Sequence, residues 1–442
     1  MGELMRFCFA FNAMIDQTYM PADKQEINIE LGVIPLIELL ERHPRIKSAL
    51  FFTGYTDQLL AERWPDLVVR IRRGVSEGRY EIGTYTYTHP LLSLIPYEDL
   101  DRQLRVGLDI DEKTWGARPV GTILPEGSWD PSLSKAFRDA GIAWTLVSTA
   151  SYLMDHPKAG PTELCHPVAL RGTFGTSIPA VFVTGLQESF WPVIEGKQTE
   201  EQYFQRIEQA IAAGAEIYVD KSDSEFLYLA LPRVTKTPWG EGTREQIEPY
   251  VRQADAMLSR LEQTKGLEFT LVGEYLAAQT DLPAVDLRPG MGWKDLSEWL
   301  RGSEKVACVT DEARQHIQTA ELMLVLAEKL GMDVATARQR LEQAWDWLLR
   351  AETSIGRRAC AHPQGQPSRI VAALEHAALA RQAAREAVQS LGLPQRPRSR
   401  PASATEMKQK AIRAPCADPG RPQKHGTAAE KPRVRRSGSR KE

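Results

Sequence analysis

Short apolar runs alternate with longer amphipathic stretches from the start of the chain to about residue 280, and this alternation restricts the fold more than any single motif. The apolar runs fall at residues 7–11, 49–53, 80–85, 121–124, 144–147, 180–183, 216–219 and 269–271. Helical spacing fills 32–42, 57–73, 97–114, 132–140, 199–213 and 244–263 between them. Strands joined through helices run parallel, so the expected fold is α/β with a parallel sheet, closed or open, of which the closed barrel is favoured. Past residue 300 the strand signal stops. Residues 311–330, 334–352 and 368–391 carry apolar residues at a spacing near 3.6 and predict a helical domain packed on the barrel. From Pro394 to Glu442 large apolar residues are scarce and Pro, Arg, Ser and Ala dominate, a composition expected to stay disordered. The predicted organisation is a barrel over 1–280, a helical domain over 281–393 and a basic tail over 394–442.

The net charge of −3 conceals a division within the chain. Of its 55 Lys and Arg and 58 Asp and Glu, 14 and 4 lie from Pro394 onward, leaving 41 against 54 before it. An acidic body argues against nucleic acid as the partner of the main domain and suits a neutral ligand such as a sugar. No apolar run reaches the roughly 18 residues of a membrane-spanning helix, and the first residues lack the pattern of a secretory signal. Cys8, Cys165, Cys308, Cys360 and Cys416 are scattered, with no C-x-x-C pair, so neither a disulfide framework nor a zinc site is expected. A reduced, cytoplasmic protein is the expectation.

Two acidic residues stand where predicted strands give way to loops: Glu126 in Ile123-Leu124-Pro125-Glu126-Gly127-Ser128-Trp129-Asp130-Pro131, and Asp223 in Asp220-Lys221-Ser222-Asp223-Ser224-Glu225-Phe226. The loops at the C-terminal ends of barrel strands carry the chemistry in such folds, and two carboxylates there are the minimum equipment for cleaving a glycosidic bond. An acid at a strand end is more often a helix cap or a surface charge. Asp130 followed by Pro131 reads as N-cap and first residue of the next helix, which leaves Glu126 before the helix rather than capping it.

Together these segments resemble glycoside hydrolase family 57, the retaining α-glucan-active enzymes. Gly78-Arg79-Tyr80-Glu81-Ile82 and Tyr87-Thr88-His89-Pro90-Leu91-Leu92-Ser93-Leu94-Ile95-Pro96 look like its second motif, Leu124-Pro125-Glu126 through Trp129 like its third, and Ser222-Asp223-Ser224-Glu225-Phe226 like its fourth. Gly292-Trp293 with Ser297-Glu298-Trp299-Leu300 resembles the fifth, an aromatic platform. The resemblance implies a (β/α)7 barrel with a helical C-terminal domain, Glu126 as nucleophile, Asp223 as general acid/base and no metal or other cofactor. It further implies an α-glucan substrate contacted by Glu81, His89, Trp129, Trp293 and Trp299. The first motif departs from the family: Asn12 and Met14 fall where it carries two sugar-contacting histidines, so Asn12 is the candidate contact there. Ile123 replaces an aromatic three residues before Glu126, and Asp220 is a weaker acid candidate than Asp223.

Each supporting residue has a plainer role open to it. His89 before Pro90 suits a turn as well as a sugar contact, Glu81 suits a solvated strand end, and tryptophans are more often core than platform. Three function classes therefore stand: a retaining α-glucan hydrolase or transglycosylase, a degenerate glucan-binding barrel without turnover, and a metal-dependent polysaccharide deacetylase. The last needs a His-x-x-x-His pair, whereas His89 is followed at that spacing by Ser93.

Overall fold

The computed structural model describes residues 4–15, 25–185, 188–290, 292, 299, 304–361 and 367–392. Among the described residues ten strands form one sheet: β1 Met5–Ala13, β2 Ser48–Phe52, β3 Tyr80–Thr84, β4 Gly121–Ile123, β5 Trp144–Ser148, β6 Val168–Arg171, β7 Ser177–Val183, β8 Ile217–Asp223, β9 Leu267–Phe269 and β10 Ala284–Val285. Parallel pairing runs β8–β1–β2–β3–β4–β5–β7, and a Val183–Val219 pair joins β7 to β8. That last pair closes a barrel of seven parallel strands, the fold class expected from the sequence. Outside the ring, β6 runs antiparallel to β7, β10 extends β6, and β9 pairs with β1.

The strands are buried on both faces, which is why they read as continuous apolar runs rather than alternating ones. In β1, Phe7, Phe9 and Phe11 pack outward against the helices, while the smaller Cys8 and Ala10 join the barrel interior. Phe9 and Phe11 stack with ring centroids 5.3 Å apart, and each buried Phe contributes roughly 1.5–3 kcal/mol. Phe51 and Trp144 fill the interior, and a Cβ on Gly121 would sit 2.0 Å from the Trp144 ring. Glycine is required there so that the indole can cross β4.

Several details depart from the sequence reading. The expected helix over 57–73 is two helices, Gly54–Arg63 and Pro65–Ser76, because Pro65 has no N–H to continue the first. β8 continues past Val219 to Asp223, its polar end paired residue by residue with β1. Asp130 caps no helix: its Oδ1 accepts from Ser132 N at 2.8 Å in a tight turn, and the helix begins at Leu133. β6 and β10 were not expected; they are short and lie outside the ring. Through β10 the chain returns to the sheet beyond residue 280.

The described chain up to Gly392 is one compact unit. Its helical part comprises Glu304–Lys329, Ala335–Ala351, Ser354–Ala361 and Pro367–Ser390. Buried Arg314 on the first of these donates to Asp99 of the barrel helix Tyr97–Trp115 at 2.7 Å and to Glu352 at 2.7 Å. Burial, reinforced by Asp99, pushes the Glu352 carboxyl well above its ordinary range, and the Arg314 guanidinium opposes that push. Removing the cation strands buried charge: Arg314→Met should cost about 3–5 kcal/mol at pH 8 and less at pH 5, measured by urea unfolding. Equal stability of mutant and wild type at pH 8 would contradict this.

A second buried acid pair, Asp57 and Asp111, lies between helices Gly54–Arg63 and Tyr97–Trp115, with Trp115 Nε1 donating to Asp57 Oδ2 at 2.7 Å. Burial, with Asp111 beside it, raises the Asp57 carboxyl, and burial raises that of Asp111. The folded pair therefore holds protons that the unfolded chain releases above about pH 4, so its contribution to stability falls as pH rises towards neutrality. Asp111→Asn should raise Tm relative to wild type more at pH 8 than at pH 5. A pH-independent offset would show that the pair does not titrate across that window.

Candidate active site

β4 ends at Ile123 and the chain turns at once through Pro125–Gly127. Leu124, preceding a proline, is extended (φ −80°, ψ 123°), and Gly127 N returns to Leu124 O at 2.9 Å. Glu126 is left-handed at φ 54°, ψ 16°, a conformation that costs a non-glycine residue roughly 1–2 kcal/mol. The surroundings impose it. Trp129 and Gly290 exchange two backbone hydrogen bonds, Gly292 N donates to Glu126 O at 3.1 Å, and Ser148 Oγ donates to Gly292 O at 2.9 Å.

Asp223 is the last residue of β8 and lies opposite Asn12 of β1. Asn12 Nδ2 donates to Asp223 Oδ1 at 3.1 Å and to Tyr85 Oη at 3.5 Å, and Lys221 Nζ lies 3.2 Å from Asp223 Oδ1. Tyr85 follows β3, and its hydroxyl lies 2.6 Å from His89 Nε2. His89 Nδ1 lies 2.8 Å from Ser354 Oγ, which donates to Glu126 Oε1 at 3.2 Å. Glu126 and Asp223 thus stand at the two ends of one hydrogen-bonded chain: Ser354, His89, Tyr85 and Asn12. Tyr85 is buried, and burial raises its phenol well above the ordinary range, reinforced by the neighbouring Glu126, Asp223 and Glu225 carboxyls. Burial, then Asp223, likewise pushes the Glu225 carboxyl up. Three acids at one rim with Lys221 among them suit proton transfer at a neutral ligand.

The sequence profile of Glycosyl hydrolase family 57 matches residues 11–173, from the end of β1 through β6. Over that segment the chain is similar to this family. The match includes Glu126 and His89 but stops short of Asp223 and Ser354. The chain is 31% identical over 119 residues to an α-amylase of Pyrococcus abyssi, and equally so to a 4-α-glucanotransferase of Thermococcus litoralis. Each alignment spans 27% of this chain and only 18% of the relative's length. The whole barrel with its helices is similar to the crystal structure of the Thermococcus litoralis 4-α-glucanotransferase (TM-score 0.63, 19% identity, 86% of this chain and 60% of that one). It is also similar to a branching enzyme of Pyrococcus horikoshii (TM-score 0.61, 17% identity, 88% and 95%). At these identities the structures establish the fold.

Other residues expected from the family motifs fall elsewhere. Glu81 is the second residue of β3, paired with Ala49; it accepts from Gly273 N at 3.0 and 3.2 Å and sits apart from the rim cluster. Burial pushes its carboxyl to about 7, but the Gly273 contact gives it a structural partner rather than a sugar. Trp129 is fully buried, packed with Leu124, Leu133 and Phe137, so it is core and no platform. Trp299 is buried against Leu91, with Leu94 beside it, and presents no open face. Trp293 lies outside the described residues. Asp220 accepts from Tyr203 Oη at 2.8 Å and Phe190 N at 3.2 Å, which ties up both its oxygens away from Asp223. His89 meets Tyr85 and Ser354 with its two ring nitrogens. Among the described residues no group of three or more His, Cys, Asp or Glu is arranged to hold a metal ion.

Tyr85 and Ser354 were missed from sequence. Tyr85 continues the apolar run of β3 and looks like part of it; Ser354 lies 228 residues from Glu126, in a helical region with no motif to mark it. The left-handed turn predicts its own test. Asn tolerates that conformation better than Glu, so Glu126→Asn should leave stability unchanged or raise it by up to ~1 kcal/mol in chemical denaturation. A loss of more than ~1 kcal/mol would mean that the carboxylate stabilises the turn.

Proposed function

We propose that the barrel is a retaining α-glucan hydrolase or transglycosylase in which Glu126 is the nucleophile and Asp223 the general acid/base. The carrying observation is that one hydrogen-bonded chain ties these two rim carboxylates together, one at the family's nucleophile position and one on β8. Glu126 attacks the anomeric carbon while the leaving oxygen takes a proton from Asp223. Asp223 then removes a proton from water or a sugar hydroxyl, whose oxygen displaces Glu126 and restores the anomeric configuration. Lys221 and Asn12 hold Asp223 at the end of β8 in a fixed orientation. The substrate class follows the names of the relatives, amylases and glucanotransferases. No helix among the described residues is long and apolar enough to cross a membrane. Cys8, Cys165 and Cys308 are free thiols, which supports placing the protein in the cytoplasm.

A specific observation favours a second reading, a barrel that binds glucan without turnover. Asn12 and Met14 occupy the places of two family histidines, and Trp129 and Trp299 are buried rather than available for stacking on a sugar.

Incubation with maltoheptaose and chromatography of the products separates the two readings. The enzyme yields shorter or redistributed oligosaccharides. Glu126→Gln should lower kcat by about 10³-fold or more while folding and sugar binding persist, because the amide cannot form the glycosyl-enzyme. Asp223→Asn should lose less on substrates with activated leaving groups, which need little protonation to depart. Unchanged maltoheptaose together with retention on immobilised glucan would establish the binding protein instead.

A further inference from the structure

Among the groups at this rim, Ser354 is the one that the helical region delivers. Its amide N donates to His89 O at 2.9 Å, and the bridge between Pro90 and Thr353 pins the adjoining residues. Its hydroxyl lies between His89 Nδ1 and Glu126 Oε1. Resting on the proposed roles of Glu126 and Asp223, we infer that Ser354 is a positioning residue for Glu126 and sets the direction of the whole chain to Asp223.

The direction follows from counting protons. An ionised Glu126 has none to give, so the Ser354 hydroxyl donates to it. With that proton spent, Ser354 Oγ can only accept, and His89 must carry its hydrogen on Nδ1. A neutral His89 then accepts at Nε2 from the Tyr85 hydroxyl, only 2.6 Å away. Tyr85 Oη in turn accepts from Asn12, whose remaining amide hydrogen points to Asp223 Oδ1. Every hydrogen in the chain is committed. The arrangement presents one donor to each carboxylate and holds a neutral Nδ1–H imidazole between them. Ser354 is fully buried, so water cannot substitute for its hydroxyl without a cavity opening.

Two measurements test this, and the first needs no turnover. Long-range ¹H–¹⁵N spectra of the full chain, with His89 assigned by His89→Gln, should show a neutral Nδ1–H tautomer at pH 7.5. The Nε2–H tautomer, or an imidazolium, would overturn the inference whether or not the protein is an enzyme. The second compares Ser354→Ala and Ser354→Thr with wild type on maltoheptaose. The loss of a hydrogen bond to a charged group should lower kcat about 10- to 100-fold in Ser354→Ala, with KM changed less than about threefold. The acidic limb of its pH–activity profile should move to higher pH. Ser354→Thr keeps the hydroxyl and should recover most of the loss. An active wild type whose Ser354→Ala variant, folded by circular dichroism, keeps kcat and profile would overturn the positioning role alone. An inactive wild type would sink the enzymatic reading and leave the tautomer to decide the chain. If Ser354→Ala does not fold, Tyr85→Phe takes its place: it removes the donor to His89 Nε2 and should shift the same tautomer signal.

Discussion

The guanidinium of Arg314 between Asp99 and Glu352 is the interaction on which the rim depends. Two buried carboxyls on different elements repel each other, and taking either from water is costly unless a cation accompanies it. Arg314 brings that cation from the helical region and joins it to the barrel helix and to the residue two before Ser354. Once Glu352 is fixed, Thr353 and Ser354 have little freedom, and they land on Pro90 and His89. The same seam is closed elsewhere by Thr88 Oγ1 donating to Leu349 O at 2.6 Å and by Tyr87, which joins Asp346 and Arg350. The helices therefore supply a group to the rim as well as covering it.

Strain is concentrated where the chemistry is proposed. Glu126 and His89 are both non-glycine residues with positive φ, and both carry polar atoms of the chain that links the acids. Such conformations persist only when their surroundings over-determine them. Around Glu126 this is done by the backbone of Gly290 and Gly292, which comes close enough to Gly127 that a Cβ there would lie 2.6 Å from Gly292 Cα. Gly292 of the fifth-motif segment thus meets the site through its backbone.

The sequence made the barrel legible because its strands are buried on both faces: runs such as those around Phe7 and Ala49 have one reading. It also made Glu126 and Asp223 legible as acids at strand ends, one just after β4 and the other the last residue of β8. Position along a strand was harder to read. Glu81 belongs to the same motif as His89, yet its place two residues into β3 sets it against Gly273. For Trp129 and Trp299 the type of residue is common to core and platform, and only packing distinguishes them.

Periodicity and burial along the chain determined the parallel α/β sheet, the helical region after it and the placing of two acids at strand ends, because these follow from local spacing and from the apolar surface each element must bury. Tertiary structure alone decided that Ser354 would meet Glu126 across 228 residues, that Asn12 would face Asp223, and that Arg314 would hold two buried acids together. Such contacts depend on which faces of distant elements come together. A hydroxyl or an amide carries no mark of its partner in the sequence, and only the closed barrel and the helices docked on it bring the two within hydrogen-bonding distance.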